Sequence, residues 1–249
     1  MPRYQSYFIC TAPRSGSTLL CKMLSETGIA GHPKSYFHRP SRSAWAQYLN
    51  LPETPEVSDQ EQLTRLFATA RERAKNGISI AGFRLQRHSF NYFIDQLALC
   101  CPEHRTTAER IQHLFGRTLF VHLTRRDKLA QSVSYIKAEQ TGLWHRHADG
   151  RELERLAPPA QPRFDRTAIA RQIDTMESYD RDWLAWFRAE EISPHAIQYD
   201  DLSVAPQDAL GDLLDKLGLD PRAAQTVQPP VARLADDVNQ DWIARFTRC

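Results

Sequence analysis

No apolar run in the 249-residue chain reaches the roughly 18 residues that a membrane-spanning helix needs. The opening Met1-Pro2-Arg3-Tyr4-Gln5-Ser6 also lacks the apolar stretch of a secretory signal, so the expected location is the cytoplasm. A surplus of either charge is missing too. With 32 Lys and Arg against 30 Asp and Glu, the formal net charge is +2, too weak a field to steer the chain to nucleic acid or to an anionic membrane. Any anion site must therefore be local. Cysteine is scarce: Cys10, Cys21, Cys100, Cys101 and Cys249 are odd in number, two are adjacent, and none has metal-type spacing. They read as reduced, mostly buried thiols rather than a disulfide frame. His145-Arg146-His147 has no third ligand at zinc spacing, so no metal is expected.

Hydrophobic residues make up 41% of the chain, enough at this length for one sizeable core and a single domain over 1–249. Short apolar segments at 7–10, 78–83, 118–123 and 196–199 have the character of strands buried on both faces of a parallel sheet. Helical spacing separates them. It runs through Leu19, Leu20, Met23 and Leu24 before Gly28, through Leu63 to Ala70, Phe90 to Leu97, Leu129 to Ile136, Ile169 to Phe187 and Leu210 to Leu217. This alternation predicts an α/β fold: a P-loop-like, doubly wound parallel sheet flanked by helices. Between about 143 and 164, Pro158, Pro159, Pro162 and many charges with little periodicity predict a long surface excursion covering the acceptor side of a site.

The segment Tyr7-Phe-Ile-Cys-Thr-Ala-Pro-Arg-Ser-Gly-Ser-Thr-Leu-Leu20 reads as a buried strand, a hydroxyl-rich turn carrying Arg14, and the first turn of a helix. Successive backbone N–H groups in such a turn, with the positive end of the helix, form an anion cradle from Ser15, Gly16, Ser17 and Thr18. The commonest phosphate loop, G-x-x-x-x-G-K-[ST], does not fit: there is no Gly-Lys pair and no apolar strand ending in Asp to hold magnesium. An ATPase or kinase is disfavoured on both counts. A plainer reading has Ser15 or Ser17 merely capping the helix, but capping alone needs no Arg.

A second basic station follows the strand at 118–123. Arg125 and Arg126 lie at its end, and Ser134 lies inside the next helix. A guanidinium there gives charge-assisted contacts and a serine hydroxyl adds a hydrogen bond, which suits a second phosphate.

The cradle resembles the 5′-phosphosulfate loop of sulfotransferases that use 3′-phosphoadenosine 5′-phosphosulfate (PAPS). More narrowly, the chain resembles the bacterial trehalose 2-sulfotransferase family, through Thr27-Gly28-Ile29-Ala30-Gly31, Gly82-Phe83-Arg84-Leu85, His122 to Tyr135, Trp183 to Phe187 and Val238 to Trp242. That resemblance implies sulfuryl transfer from PAPS, as donor substrate and without a metal, to a hydroxyl of a small molecule, a carbohydrate being the family's acceptor. It also implies a homodimer. Arg14 would stabilise the leaving phosphate, Arg125 or Arg126 with Ser134 would read the 3′-phosphate, and Arg233 would return over it from the C-terminal region. Asp236 and Asp237 are alternative partners for Arg233.

Where the trehalose enzymes carry a glutamate as general base, this chain has Ser35. A serine cannot do that work at neutral pH, whereas an imidazole can. His32 and His38 flank the position and His88 is a third candidate, so the catalytic expectation falls on His38 or His32 together with Arg14. Arg84 faces donor or acceptor, or forms a structural ion pair. Trp144 stacks on an adenine or an acceptor ring, or sits at the rim. With Ser35 and His88 they make up the expected acceptor side. The alternative is a non-catalytic protein that binds PAPS or its bisphosphate product.

Overall fold

The computed structural model describes residues 2–52, 57–147, 149–230 and 236–248. Strand β1 (Ser6–Thr11) alternates its side chains between two buried faces, with Phe8 and Cys10 on one and Tyr7 and Ile9 on the other. It leads into α1 (Ser17–Glu26), and the chain continues through α2 (Arg42–Tyr48) and α3 (Asp59–Lys75) to β2 (Ala81–Gln86). Then follow α4 (Arg87–Cys100), α5 (Thr107–Phe115), β3 (Thr118–Thr124), α6 (Lys128–Thr141), β4 (Leu143–Arg146) and β5 (Glu152–Arg155). The long α7 (Arg166–Ala189), β6 (His195–Gln198), α8 (Tyr199–Val204), α9 (Pro206–Leu217), a 3-10 turn (Pro221–Thr226) and α10 (Asp237–Thr247) complete it.

The main sheet is parallel with order β2-β1-β3-β6. Aromatic residues fill one face, where Phe8 stacks on Phe83 at 4.6 Å among Phe37, Phe93, Phe115 and Trp183. The other face is aliphatic, built from Leu20, Leu24, Val121, Leu123 and Leu213. From β1 the chain crosses to β2 on one side, and from β3 it crosses to β6 on the other. The loops after β1 and β3 therefore diverge, opening the crevice at which doubly wound sheets bind ligands.

Two expectations shift. The second strand lies at Ala81–Gln86 rather than 78–83, because parallel pairing with β1 (Ser6 beside Ala81 through Thr11 beside Gln86) carries it past the apolar letters into Arg84 and Gln86. Gly82 permits that pairing: a Cβ there would overlap the Tyr7 hydroxyl. The excursion after 143 is also more ordered than its composition predicts, since β4 and β5 pair as an antiparallel hairpin. Cys10, Cys21, Cys100 and Cys101 are buried free thiols. Among the described residues no helix is long and apolar enough to cross a membrane.

Candidate active site at the switch point

The loop between β1 and α1 is held from several sides. Thr11 Oγ1 donates to the Leu123 carbonyl at 2.7 Å, Trp183 Nε1 donates to the Thr11 carbonyl at 3.0 Å, and Gln131 Nε2 donates to the Pro13 carbonyl at 2.7 Å. Ser15 is fully buried and its hydroxyl donates to the Ala12 carbonyl at 2.8 Å. It therefore shapes the turn and does not cap α1. The N-cap is Gly16, with no side-chain capping bond, so the first-turn N–H groups have no side-chain cap. Gly16 takes φ 81°, and a Cβ there would overlap the Tyr199 ring. Arg14 also adopts a left-handed conformation, φ 63°, an uncommon backbone state for a side chain of its size.

Arg14 links three elements. Its Nε donates to Ser134 Oγ of α6 at 3.0 Å, and one terminal nitrogen donates to the Trp144 carbonyl of β4 at 2.6 Å. Burial and then the neighbouring Arg125 lower its pKa to about 10, so it stays charged at neutral pH. Arg125 stacks over Tyr199, 4.6 Å from the ring centroid, and donates to the Arg14 carbonyl at 3.5 Å. Arg126 points away from the cavity. Its side chain is 63% exposed and pairs with Asp201 at 2.9 Å, and its backbone N–H donates to Asp200.

Arg14, Arg125, Ser134 and, of the cradle, Gly16, Ser17 and Thr18 face a cavity of about 1230 Å³, while Ser15 is buried behind them. At its far end Arg84, on β2, donates from Nε to Ser35 Oγ at 2.7 Å and from a terminal nitrogen to Thr18 Oγ1 at 2.8 Å. Its partners among the described residues are hydroxyls, in place of the ion pair weighed from sequence. His38 and His88 meet edge to face at 4.9 Å. Burial, His88, Arg84 and Arg39 push His38 down to about 4, and burial lowers His88. Trp144 contributes its carbonyl to Arg14 while its ring meets Tyr135 edge-on at 5.5 Å.

His32 is absent from this cavity's lining. It borders a separate hollow of about 930 Å³ with Glu72 and Arg73, because its backbone N–H is tied to the Ala74 carbonyl while the chain beyond crosses beside Phe83 at Lys34. His32, expected beside His38 as the residue that takes the acceptor proton, is thus not among the residues lining the cavity that holds the cradle, although Lys34, Tyr36 and Tyr48 line both hollows. Arg233 lies outside the described residues. Asp236, weighed as its partner, caps α10 and pairs with Lys137.

Three lining residues, His145, Glu154 and Tyr199, were not among the expected site residues, His145 having been weighed only as a metal ligand. His145 on β4 lies opposite Glu154 on β5; its Nε2 is 3.5 Å from the Glu154 carboxylate and 3.1 Å from Thr18 Oγ1. Burial, Arg14, Arg84 and Lys22 push His145 down to about 3. The signal was Asp149-Gly150 between the two segments, a hairpin cue. Tyr199, the platform for Arg125 and the lid over Gly16, carried no signal at all. A Cys101, Glu103 and His113 grouping at the α4–α5 junction lies away from the cavity lining.

A doubly wound sheet with a hydroxyl-rich turn and two arginines converging on its switch point is the framework of a group transferase handling an anionic donor. The chain belongs to the Stf0 sulphotransferase family, whose model matches residues 6–249, and it is a sulfotransferase. It is 27% identical to the trehalose 2-sulfotransferase of Mycolicibacterium smegmatis, over 98% of this chain and 94% of that one. To the trehalose 2-sulfotransferase of Mycobacterium tuberculosis it is 28% identical, over 96% and 93%. Among solved structures it is similar to a sulfotransferase from Alicyclobacillus acidocaldarius (TM-score 0.45, 14% identity, 96% and 90% covered). A second is the sulfotransferase domain of the Synechococcus PCC 7002 olefin synthase (TM-score 0.42, 15% identity, 98% and 94% covered).

Proposed function

We propose that the protein moves the sulfuryl group of PAPS to a hydroxyl of a small carbohydrate. The observation that carries this reading is the convergence of Arg125 and Ser134 with the α1 cradle and Arg14 on one cavity, while Arg126 turns outward. A nucleotide with phosphates at both 3′ and 5′ ends needs two such stations; a mononucleotide needs one. The 5′-phosphosulfate would lie on the first-turn N–H groups and the hydroxyls of Ser17 and Thr18, and the 3′-phosphate on Arg125 and Ser134.

In the transfer, the acceptor oxygen forms a bond to sulfur as the bond from sulfur to the bridging oxygen breaks. The electron pair of that bond stays on the departing phosphate, where Arg14 stabilises the developing charge. The hydroxyl proton leaves to a base. Positioning and charge stabilisation supply most of the acceleration, as in phosphoryl transfer. Ser35, Arg84, His38, His88 and Trp144 form the acceptor side. The carbohydrate assignment draws on the named activity of the two trehalose 2-sulfotransferases.

Calorimetric titration with adenosine 3′,5′-bisphosphate and with AMP tests the donor. The bisphosphate is expected to bind at least about tenfold more tightly, the value of one charge-assisted contact; equal affinity would sink the proposal. Transfer of labelled sulfate to a panel of sugars and other hydroxyl compounds tests the acceptor.

A further inference from the structure

The lining of the large cavity carries Arg14, Lys34, Arg39, Arg84 and Arg125 but, among the described residues, one carboxylate, Glu154. It sits across the hairpin from His145, 3.5 Å from Nε2, and the same nitrogen is 3.1 Å from the Thr18 hydroxyl in the first turn of α1. The hairpin is fastened to the cradle by the Arg14 bond to the Trp144 carbonyl, one residue before His145. An imidazole backed by the cavity's one carboxylate thus stands within a hydrogen bond of the donor cradle.

Resting on the PAPS reading above, we propose that His145, with Glu154 as its positioning residue, is the base that takes the acceptor's proton. As the acceptor oxygen bonds to sulfur, its O–H bond breaks and the proton passes to the His145 ring. The bridging electron pair leaves with the adenosine bisphosphate, and Glu154 stabilises the imidazolium until the proton is released to water. The product sulfate ester and the bisphosphate account for every atom, and no oxidant, reductant or metal enters.

The other two lining imidazoles, His38 and His88, have no carboxylate within 4 Å among the described residues, which is what sets His145 apart. His38 faces His88, Arg84 and Arg39, all of which oppose a positive charge on its ring. Ser35, from the other side, has its hydroxyl engaged by Arg84. His145 also has cations around it, Arg14 on the loop, Arg84 on β2 and Lys22 on α1, facing Thr18 and Glu154. Two of these, Arg14 and Arg84, touch the cradle or its neighbours, so an anionic donor offsets them. The ring is thereby neutral before the donor arrives and gains proton affinity once it is seated, which is the order the reaction requires.

The test compares His145→Asn, His145→Ala, Glu154→Gln, His38→Asn and His88→Asn by steady-state transfer, pH profile of kcat and bisphosphate titration, with melting temperature as the folding control. Loss of general-base catalysis is worth about 10²–10⁴ in rate. His145→Asn is expected to lower kcat by about 10²-fold or more while bisphosphate affinity changes by less than about tenfold. In His145→Ala, added imidazole should restore part of the lost rate, an outcome a purely structural role would not produce. Glu154→Gln should lower kcat by about tenfold and move the acid limb of the profile to lower pH, since the imidazolium loses its counter-charge. A kcat for His145→Asn within a few-fold of the native enzyme, or removal of the acid limb by His38→Asn or His88→Asn instead, would overturn the inference and leave the donor reading standing. Equal affinity of the native protein for bisphosphate and AMP would overturn both.

Discussion

The two ends of the cavity are built by different means. At the donor end most ties run from side chains to backbone carbonyls, Gln131 to Pro13, Trp183 to Thr11 and Thr11 to Leu123, with Arg14 to Ser134 the side-chain exception. At the acceptor end they run from side chain to side chain, Arg84 to Ser35 and Thr18, His38 to His88, His145 to Glu154. A carbonyl keeps its place whatever residue bears it, so each of these ties is lost only when its donor side chain, Gln131, Trp183 or Thr11, is changed. A contact between two side chains is lost when either partner is changed. Under the proposed function, the first end would hold the nucleotide and the second would vary with the acceptor.

The sharpest way to break this contrast is Arg14, which belongs to both ends. Arg14→Ala removes the cation beside the cradle together with the bonds to Ser134 and Trp144. Transfer should fall by about 10²–10³-fold, the usual loss for a donor that stabilises a developing oxyanion. Arg14→Lys keeps the charge but not the two-directional fork and should fall less. A loss under about tenfold for Arg14→Ala, measured as kcat with saturating donor, would show that the leaving group is stabilised elsewhere.

Arg125→Ala tests the donor end alone. Its guanidinium is held by Tyr199 and the Arg14 carbonyl, and a hydrogen bond from a charged group contributes about 1.5–3 kcal/mol. Bisphosphate affinity should drop by about 10- to 100-fold while AMP affinity changes little. An equal loss for both nucleotides would mean that Arg125 serves the 5′ end.

Gly16→Ala probes the same end through shape. It forces a Cβ onto a left-handed backbone and into the Tyr199 ring, a strain of about 1–3 kcal/mol. At roughly 2–4 °C per kcal/mol for a chain of this size, the melting temperature should fall by about 2–12 °C. Bisphosphate binding should weaken too, because Tyr199 must yield and it carries Arg125. An unchanged melting temperature would place the ring elsewhere in solution.

Acid should act mainly through the histidines, three of which line the cavity. His32, His38, His88, His122, His145 and His195 are all held below the usual value, chiefly by burial. Between the unfolded value near 6.5 and the lowered folded values, reaching about 3 for His145, the unfolded chain binds more protons than the folded one. Stability therefore rises with pH across that window and is lost as pH falls through it. Melting temperatures from pH 7.5 down to 4 should decline, and the slope should flatten in a His38→Asn, His88→Asn, His145→Asn triple variant. An unaltered slope would assign the acid sensitivity to the other three.

That Arg14, the α1 cradle, Arg125 and Ser134 meet at one cavity was legible in the sequence because each group is local. Arg14, Gly16, Ser17 and Thr18 follow one strand, Arg125 and Ser134 follow another, and strand ends at a switch point meet by topology. What separated Arg125 from Arg126 was not local: Asp200 and Asp201, at the start of α8, draw Arg126 outward. The acceptor end was read less well for the same reason. Its position depends on the Lys34–Phe83 bridge and on a hairpin whose Asp149-Gly150 turn was outweighed by the prolines after it. The capping box of Thr106 and Glu109, which starts α5, was a local signal that went unused.

The smallest effect is expected from Arg126→Ala, and it bears on the comparison most directly. Arg126 is adjacent in sequence to a cavity residue and carries the same charge, so any long-range field it exerts on an anionic donor should resemble that of Arg125. Only contact distinguishes the two. Its exposed pair with Asp201 contributes about 0–1 kcal/mol to stability, and bulk solvent screens its charge beyond about 8–10 Å. Bisphosphate affinity in the variant should stay within about twofold of the native value, with a salt dependence that hardly changes. A loss approaching that of Arg125→Ala would mean that Arg126 swings inward when the nucleotide binds. The donor end would then be assembled by its ligand rather than held ready by its carbonyl ties.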